Sequence, residues 1–332
     1  MAALYVKEQG ALVQKRSERI LVTKNRQTLL EMPFSHVDSV AVIGNVQVTS
    51  QALHAFLTKG IDVSYFNFSG QYLGNTSPES SKNIFLRLAQ YKLYQNMEER
   101  MKIARAIVKN KIWNQMSLIR GFRWESGDAK WKSEITQMEK ILGKVDAAVN
   151  TSELVGLEGK ASSLYFCAYG RMFKCKFKFD GRNRRPPRDP INVIISLGYT
   201  FLTKEVAVAL ETESFEMYLG FLHGVRYGRK SLPLDIVEEF RQPIVDKMTL
   251  KLFNKNMIQE FDFEYEDERV ILNEDGFKKF CREFERWMSD SSISGRNVGY
   301  WGMIQQQAKK LKRAVQGKGE YEPFCQNENN FM

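Results

Sequence analysis

Near residue 75 the hydrophobic periodicity of this chain changes from about two residues to about 3.6, and that switch constrains the fold more than any motif does. From Leu4 to Leu73 the apolar runs are short and strand-like: LYV, ALVQK, RILVTK, QTLLEM, VDSVAVIG and IDVSYFN. They are punctuated by Gly10, Asn25, Pro33, Gly44 and Gly60. One helix interrupts them from about Ser50 to Lys59, where Leu53, Phe56 and Leu57 fall at helical spacing and His54 lies on or beside the packed face. No acidic cluster accompanies His54, so it is expected to be structural. Beyond GNTSPESS the positions Ile84, Leu88, Tyr91, Ile103, Ile107, Val108 and Ile112 mark long amphipathic helices. Helical stretches run on to about Val315, broken by DGRNRRPPRDP and by a hairpin-like FDFEYEDERVIL. The expected class is α+β, with a small N-terminal β-strand domain over residues 1–74, a linker at 75–81 and a larger all-α C-terminal domain over 82–332. The polar tail from Gly317 is expected to fray.

Length supports the division, since one hydrophobic core stops growing near roughly 250 to 300 residues and this chain has 332. Lysine and arginine number 49 against 39 acids, a net charge of +10 that favours a polyanionic partner. No uninterrupted apolar run approaches the roughly 20 residues of a membrane span, and no signal peptide opens the sequence, so a cytoplasmic protein without a membrane partner is expected. Cys167, Cys175, Cys281 and Cys325 are scattered without metal-site spacing and read as reduced, packed thiols.

The chemistry-bearing residues fall in two segments, GLEGKA with Glu158 and FLHGVRYGRKSLPLDIVEEFRQP with His223, Asp235 and Glu238. Glu158, His223 and Glu238 form a set that suits one hard divalent ion, magnesium or manganese, because carboxylates serve both and one imidazole leans toward manganese. Asp235 and Glu238 are three apart and share a helical face, whereas Glu239 is a neighbouring alternative. The same pattern also suits acids that complement a helix dipole and a hydrogen-bonded interior histidine.

A second constellation is basic. Lys174, Lys176 and Lys178 alternate with Phe173, Cys175, Phe177 and Phe179, giving one cationic edge and one apolar face. Arg182, Arg184, Arg185 and Arg188 follow around Pro186 and Pro187. Guanidinium forks on a stiff loop suit phosphates along a nucleic-acid strand, although a solvated charge run has the same composition. Lys309, Lys310, Lys312 and Arg313 form a third basic cluster. Tyr165 and Tyr199 neighbour these motifs, as stacking or as packing residues.

Taken together, EGKASSLYF, FKFDGRNRRPPRDPINVIISLGYTFL and GFLHGVRYGRKSLPLDIVEEFR resemble the CRISPR-associated spacer-acquisition integrase, the universal first Cas protein. The resemblance extends to ARAIVKNKIWNQ and the N-terminal strands, hence over most of the chain. It implies a metal-dependent DNA endonuclease and integrase that inserts captured DNA as spacers into a CRISPR array by attack of a 3′-hydroxyl on repeat-boundary phosphodiesters. It implies Glu158, His223 and Glu238 as ligands to magnesium or manganese, Asp235 as an acid beside the site, and Asn192 as a structural residue. Lys176, Lys178, Arg182, Arg184, Arg185 and Arg188 would hold DNA. The implied partners are DNA, a second copy joined through the β domains, the second CRISPR adaptation protein and a Cas4-like nuclease. The family ending EEFRP appears here with Gln242 interposed, which predicts a shifted helix end. Two other readings share these residues: a nuclease that hydrolyses branched or single-stranded DNA without joining, and a non-catalytic nucleic-acid scaffold.

Overall fold

In the computed structural model the described residues are 3–68, 70–78, 83–122, 131–183, 186–266, 269–295 and 297–325. The chain forms two compact units, one of residues 1–80 with 261–264 and 271–285, the other of 81–260 with 265–270 and 286–332.

The first unit is strand-rich, as the period of two predicts. Strands β1 (Ala3–Val6), β5 (Ser39–Ile43), β7 (Asp62–Phe66) and β8 (Tyr72–Thr76) make one sheet in the order β1-β5-β7-β8, parallel except for the β7–β8 pair. A second sheet runs β4 (Gln27–Pro33), β3 (Arg19–Lys24), β2 (Leu12–Arg16), β6 (Gln47–Val48). Helix α1 (Ser50–Thr58) starts where the Thr49 hydroxyl accepts the Ala52 N–H at 3.2 Å. Phe56 from α1 joins Val13, Ile20, Val40 and Val63 in a solvent-free core. His54 is exposed, one step around α1 from the buried Ala55 and Phe56, so it does not lie on the packed face. The unit also takes in residues 271–285, which a division at residue 74 leaves in the helical domain. Phe277, Phe280 and Phe284 line one face of α9 (Glu274–Ser289) at helical spacing and are buried, which accounts for their recruitment.

The second unit is helical apart from the predicted hairpin, β9 (Phe263–Glu266) with β10 (Arg269–Leu272), which falls at the unit boundary. Its helices are α2 (Ile84–Gln95), α3 (Met97–Gly121), α4 (Lys132–Leu142), α5 (Thr151–Gly170), α6 (Pro190–Thr212), α7 (Ser231–Val237), α8 (Lys247–Asn254), α10 (Ser291–Ser294) and α11 (Tyr300–Val315). Asparagine or aspartate caps fix several starts: Asn96 for α3, Asn150 for α5, and Asp189 for α6, where Pro190 takes the first position. In α2 the periodic residues Ile84, Leu88 and Tyr91 face outward. The helix is pinned from its other side by Gln90, whose amide donates to Glu216 and Leu219 carbonyls and accepts the Glu216 N–H.

Helix α6 is, among the described residues, the one helix long and apolar enough to cross a membrane, but 56% of its apolar window is buried inside the protein. It is the spine of the helical unit. After α7 the chain forms a π-helical turn, Arg241–Asp246, at the point where Gln242 is interposed. Such a turn absorbs one extra residue without breaking the helical path, which is the shifted helix end that the insertion predicts.

Candidate active site

Helix α3 carries a polar stripe through an otherwise apolar buried face: Asn110, Lys111, Asn114 and Gln115 are all buried. Lys111 is the centre of the site. Its ammonium is bonded to Glu158 Oε1 on α5 and lies 2.6 Å from Glu238 Oε2, with only 7% of its side chain exposed. Ser162, one turn beyond Glu158, donates to the same Oε1 at 2.8 Å. Glu158 and Glu238, 80 residues apart in sequence, thus share one cation.

The other oxygen of Glu238 accepts Arg241 at 2.9 Å. Burial alone would raise the Glu238 carboxyl, yet Arg241 and Lys111 outweigh it and hold the group at about 2. Glu238 is therefore an anion at neutral pH. Arg241 also lies over the Tyr199 ring, 4.6 Å from its centroid.

His223 sits on the loop before α7, and Asp235 organises that loop. The fully buried Asp235 carboxylate accepts the backbone N–H groups of Phe221 (2.5 Å), Leu222 (2.9 Å) and His223 (2.9 Å), and meets His223 Nδ1 at 2.7 Å. Gly220 is required here, since a Cβ would come within 2.8 Å of Asp235 Oδ2. With Nδ1 engaged by a carboxylate, Nε2 is the nitrogen left to serve as a ligand. Burial opposes protonation of His223, but Asp235, with Glu238 behind it, raises its pKa. Asp235 is thus a positioning residue whose oxygens are committed to the protein itself. Glu239 turns the other way, toward Tyr321 and Phe324.

Beneath the site Asp246, in the π-helical turn, gathers helices α5 and α6. Its carboxylate accepts Tyr165 of α5 at 2.6 Å and Tyr199 of α6 at 2.7 Å, while its carbonyl accepts Tyr169 at 2.9 Å. All are buried, so Tyr165 and Tyr199 pack and hydrogen-bond, and are not surfaces for bases. Burial pushes the Asp246 carboxyl up to about 6 from the usual 3.8.

The C-terminal segment does not fray at Gly317 as expected from its composition. Tyr321 and Phe324 are buried, Phe324 stacks on Phe240 at 5.0 Å, and both its backbone groups are taken: its N–H by Glu239 at 2.7 Å, its carbonyl by Asn110 at 2.6 Å. Tyr321 donates to the other oxygen of Glu239. Burial pushes Glu239 up to about 8. Asn110 and Glu239 flank Lys111 and Glu238 in sequence, so the strap backs the two elements that carry the site.

The basic run divides by environment. Lys174, Lys176 and Lys178 are exposed while Phe173, Cys175, Phe177 and Phe179 are half-buried, the alternation expected, although among the described residues the segment pairs with no strand. Its phenylalanines pack on Tyr169 and Phe253 instead. Lys176 pairs with Glu260 at the surface. Arg182 is partly buried: its guanidinium is bonded to Asn192 and lies over Tyr199, and the same Asn192 side-chain oxygen accepts the Asn183 N–H. Asn192 further donates to the Gly181 carbonyl and to Asp189, and so is structural. Arg188 is exposed. Arg184 and Arg185 lie outside the described residues. On α11, Lys309, Lys310 and Arg313 are exposed, whereas Lys312 is paired with Glu213 at 2.8 Å.

Among the described residues no three His, Cys, Asp or Glu side chains already form a metal cage. The donor chemistry nonetheless fits a hard divalent ion: two carboxyl groups converge on one cation, Glu238 Oε2 has no aligned hydrogen-bond donor, and an oriented imidazole lies within electrostatic reach.

A family model described as CRISPR associated protein Cas1 matches residues 4–286. The chain is 32% identical over 331 residues to the CRISPR-associated endonuclease Cas1 3 of Thermus thermophilus, covering 98% of this chain and 97% of that protein. It is 31% identical to a CRISPR-associated exonuclease Cas4/endonuclease Cas1 fusion of Geobacter sulfurreducens, covering 95% of this chain and 58% of the fusion. A solved Cas1 structure from Thermotoga maritima matches with a TM-score of 0.84 at 26% identity, covering 97% of this chain and 99% of that one.

Proposed function

The chain belongs to the Cas1 family of CRISPR-associated endonucleases and integrases, and from that premise we propose that it inserts captured DNA into a CRISPR array by metal-dependent transesterification. The observation that carries this reading is the convergence of Glu158 and Glu238 on one cation position, with His223 fixed beside them by Asp235.

Glu158, Glu238 and His223 would hold a magnesium or manganese ion, which when bound increases the nucleophilicity of an oxygen and neutralises phosphoryl charge. The protein's own part is preorganisation. Arg241 keeps Glu238 ionised, Asp235 sets the tautomer and orientation of His223, and the tyrosines on Asp246 tie α5 and α6 to the turn that carries Arg241. In the reaction a 3′-hydroxyl oxygen bonds to phosphorus as a repeat strand's own 3′-oxygen departs, so one phosphodiester replaces another and no external energy source is needed. The exposed Lys174, Lys176, Lys178 and Arg188 provide a phosphate track whose affinity falls with salt. Arg184 and Arg185 extend it on sequence grounds.

Partners follow from the same premise: DNA, a second copy of the chain through the β unit, the second adaptation protein and a Cas4-like nuclease, the last supported by the fused relative. The edge strand β4, with Leu29 49% and Leu30 37% exposed, supports self-association. The test is strand joining between a short duplex and a repeat-bearing plasmid. Joined product supports integration, whereas shortened strands alone favour hydrolysis.

A further inference from the structure

Lys111 has no assigned role, yet its side chain pairs with both candidate ligand carboxylates. It sits on the buried face of α3, its Nζ bonded to Glu158 and 2.6 Å from Glu238, and 7% of its side chain is exposed. The geometry around it is exclusive. Glu238 Oε1 is occupied by Arg241, so Oε2, the oxygen facing Lys111, is the one that remains for a metal. Glu158 Oε1 is likewise held by Lys111 and Ser162. An ammonium and a divalent ion cannot both take the position between these oxygens, because each needs the same lone pairs and like charges repel at contact.

We propose that Lys111 is a resident counter-cation that holds Glu158 and Glu238 together, and that a divalent ion binds by displacing its ammonium from Glu238. The inference rests on the metal reading above. The displaced ammonium stays on a buried helix beside the site, where it carries one positive charge toward an approaching phosphodiester. Lys111 is therefore a positioning residue in the metal-free protein and a competitor for the cation position. That places a cost on metal binding and predicts that removing the charge strengthens it.

Two measurements test this on the full-length protein. In the first, Mn²⁺ binding is measured by calorimetry for the wild type, Lys111→Met and Glu158→Gln. A unit charge next to a divalent ion opposes it even at aqueous dielectric, so Lys111→Met should bind Mn²⁺ at least about tenfold more tightly. Equal or weaker binding by a folded Lys111→Met protein overturns the proposal. If the wild type binds no Mn²⁺, or Glu158→Gln binds it unchanged, the metal site itself is wrong and the proposal falls with it. The second measurement needs no variant and covers the case in which Lys111→Met fails to fold. Acetylation of Lys111 by an amine-reactive ester, followed by mass spectrometry, should rise at least about fivefold when Mn²⁺ is added, as the ammonium leaves a buried ion pair. Unchanged or lower reactivity under saturating Mn²⁺ contradicts displacement.

Discussion

Replacing Asp235 by asparagine removes one charge from a carboxylate that serves four donors, and its cost can be worked through atom by atom. Oδ2 accepts the Phe221 and Leu222 N–H groups, and Oδ1 accepts the His223 N–H and faces Nδ1. An asparagine oxygen can replace Oδ2, but its NH₂ group then points at the His223 N–H, donor against donor. One buried N–H is orphaned at about 1–3 kcal/mol, and the two remaining charge-assisted bonds become neutral ones at about 1 kcal/mol each. The expected loss is roughly 3–5 kcal/mol, measured by urea unfolding of the metal-free protein. Nδ1 must also change from donor to acceptor, so the His223 pKa, raised in the wild type by Asp235, should fall when followed by NMR. A loss under about 1 kcal/mol, together with an unchanged His223 titration, would refute the view that Asp235 builds the loop.

Three further outcomes are expected. Asp246→Asn should flatten the pH dependence of stability: the folded protein holds a proton on Asp246 to about pH 6 that the unfolded chain releases near the usual 3.8, so wild-type stability should fall by about 3 kcal/mol as pH rises through that window, and chemical unfolding at several pH values checks it. Phe324→Ala removes a side chain that is 6% exposed and stacked on Phe240, and should cost about 3 kcal/mol in the same assay; a loss below about 1 kcal/mol would mean the strap is not docked in solution. Changing Lys174, Lys176 and Lys178 together to glutamine should lower the slope of log affinity against log salt by about 2, because Lys176 is partly neutralised by Glu260, while an unchanged slope would move the phosphate track elsewhere.

The parts legible in the sequence were those encoded within one element. The change of period located the strand-rich and helical units, and alternation in the lysine–phenylalanine run was visible without a partner strand because the apolar side packs on aromatics. His223, Asp235 and Glu238 lie within one short segment and could be read together. Lys111 could not, because its meaning depends on acids 47 and 127 positions away, although the polar stripe Asn110, Lys111, Asn114 and Gln115 on an apolar helix was a usable signal. Tyr165 and Tyr199 stayed open between stacking and packing because Asp246, which accepts both hydroxyls, is 81 and 47 positions away. The tail looked free because two isolated anchors, Tyr321 and Phe324, create no periodicity. In α2 the buried positions are Leu86 and Gln90 rather than the stripe Ile84, Leu88 and Tyr91, and the hydrogen bonds of Gln90 are a signal that hydropathy does not register.

The most direct test of the account is a gel assay of strand joining, in which a short duplex with free 3′-hydroxyls and a supercoiled repeat-bearing plasmid are incubated with the protein, with and without the second adaptation protein, in magnesium, manganese or chelator. Joined product that requires the metal and disappears in folded Glu158→Ala and His223→Ala proteins is the predicted result. Joining that survives chelator or either substitution would contradict the central claim, and metal-dependent shortening without joining would replace integration by hydrolysis.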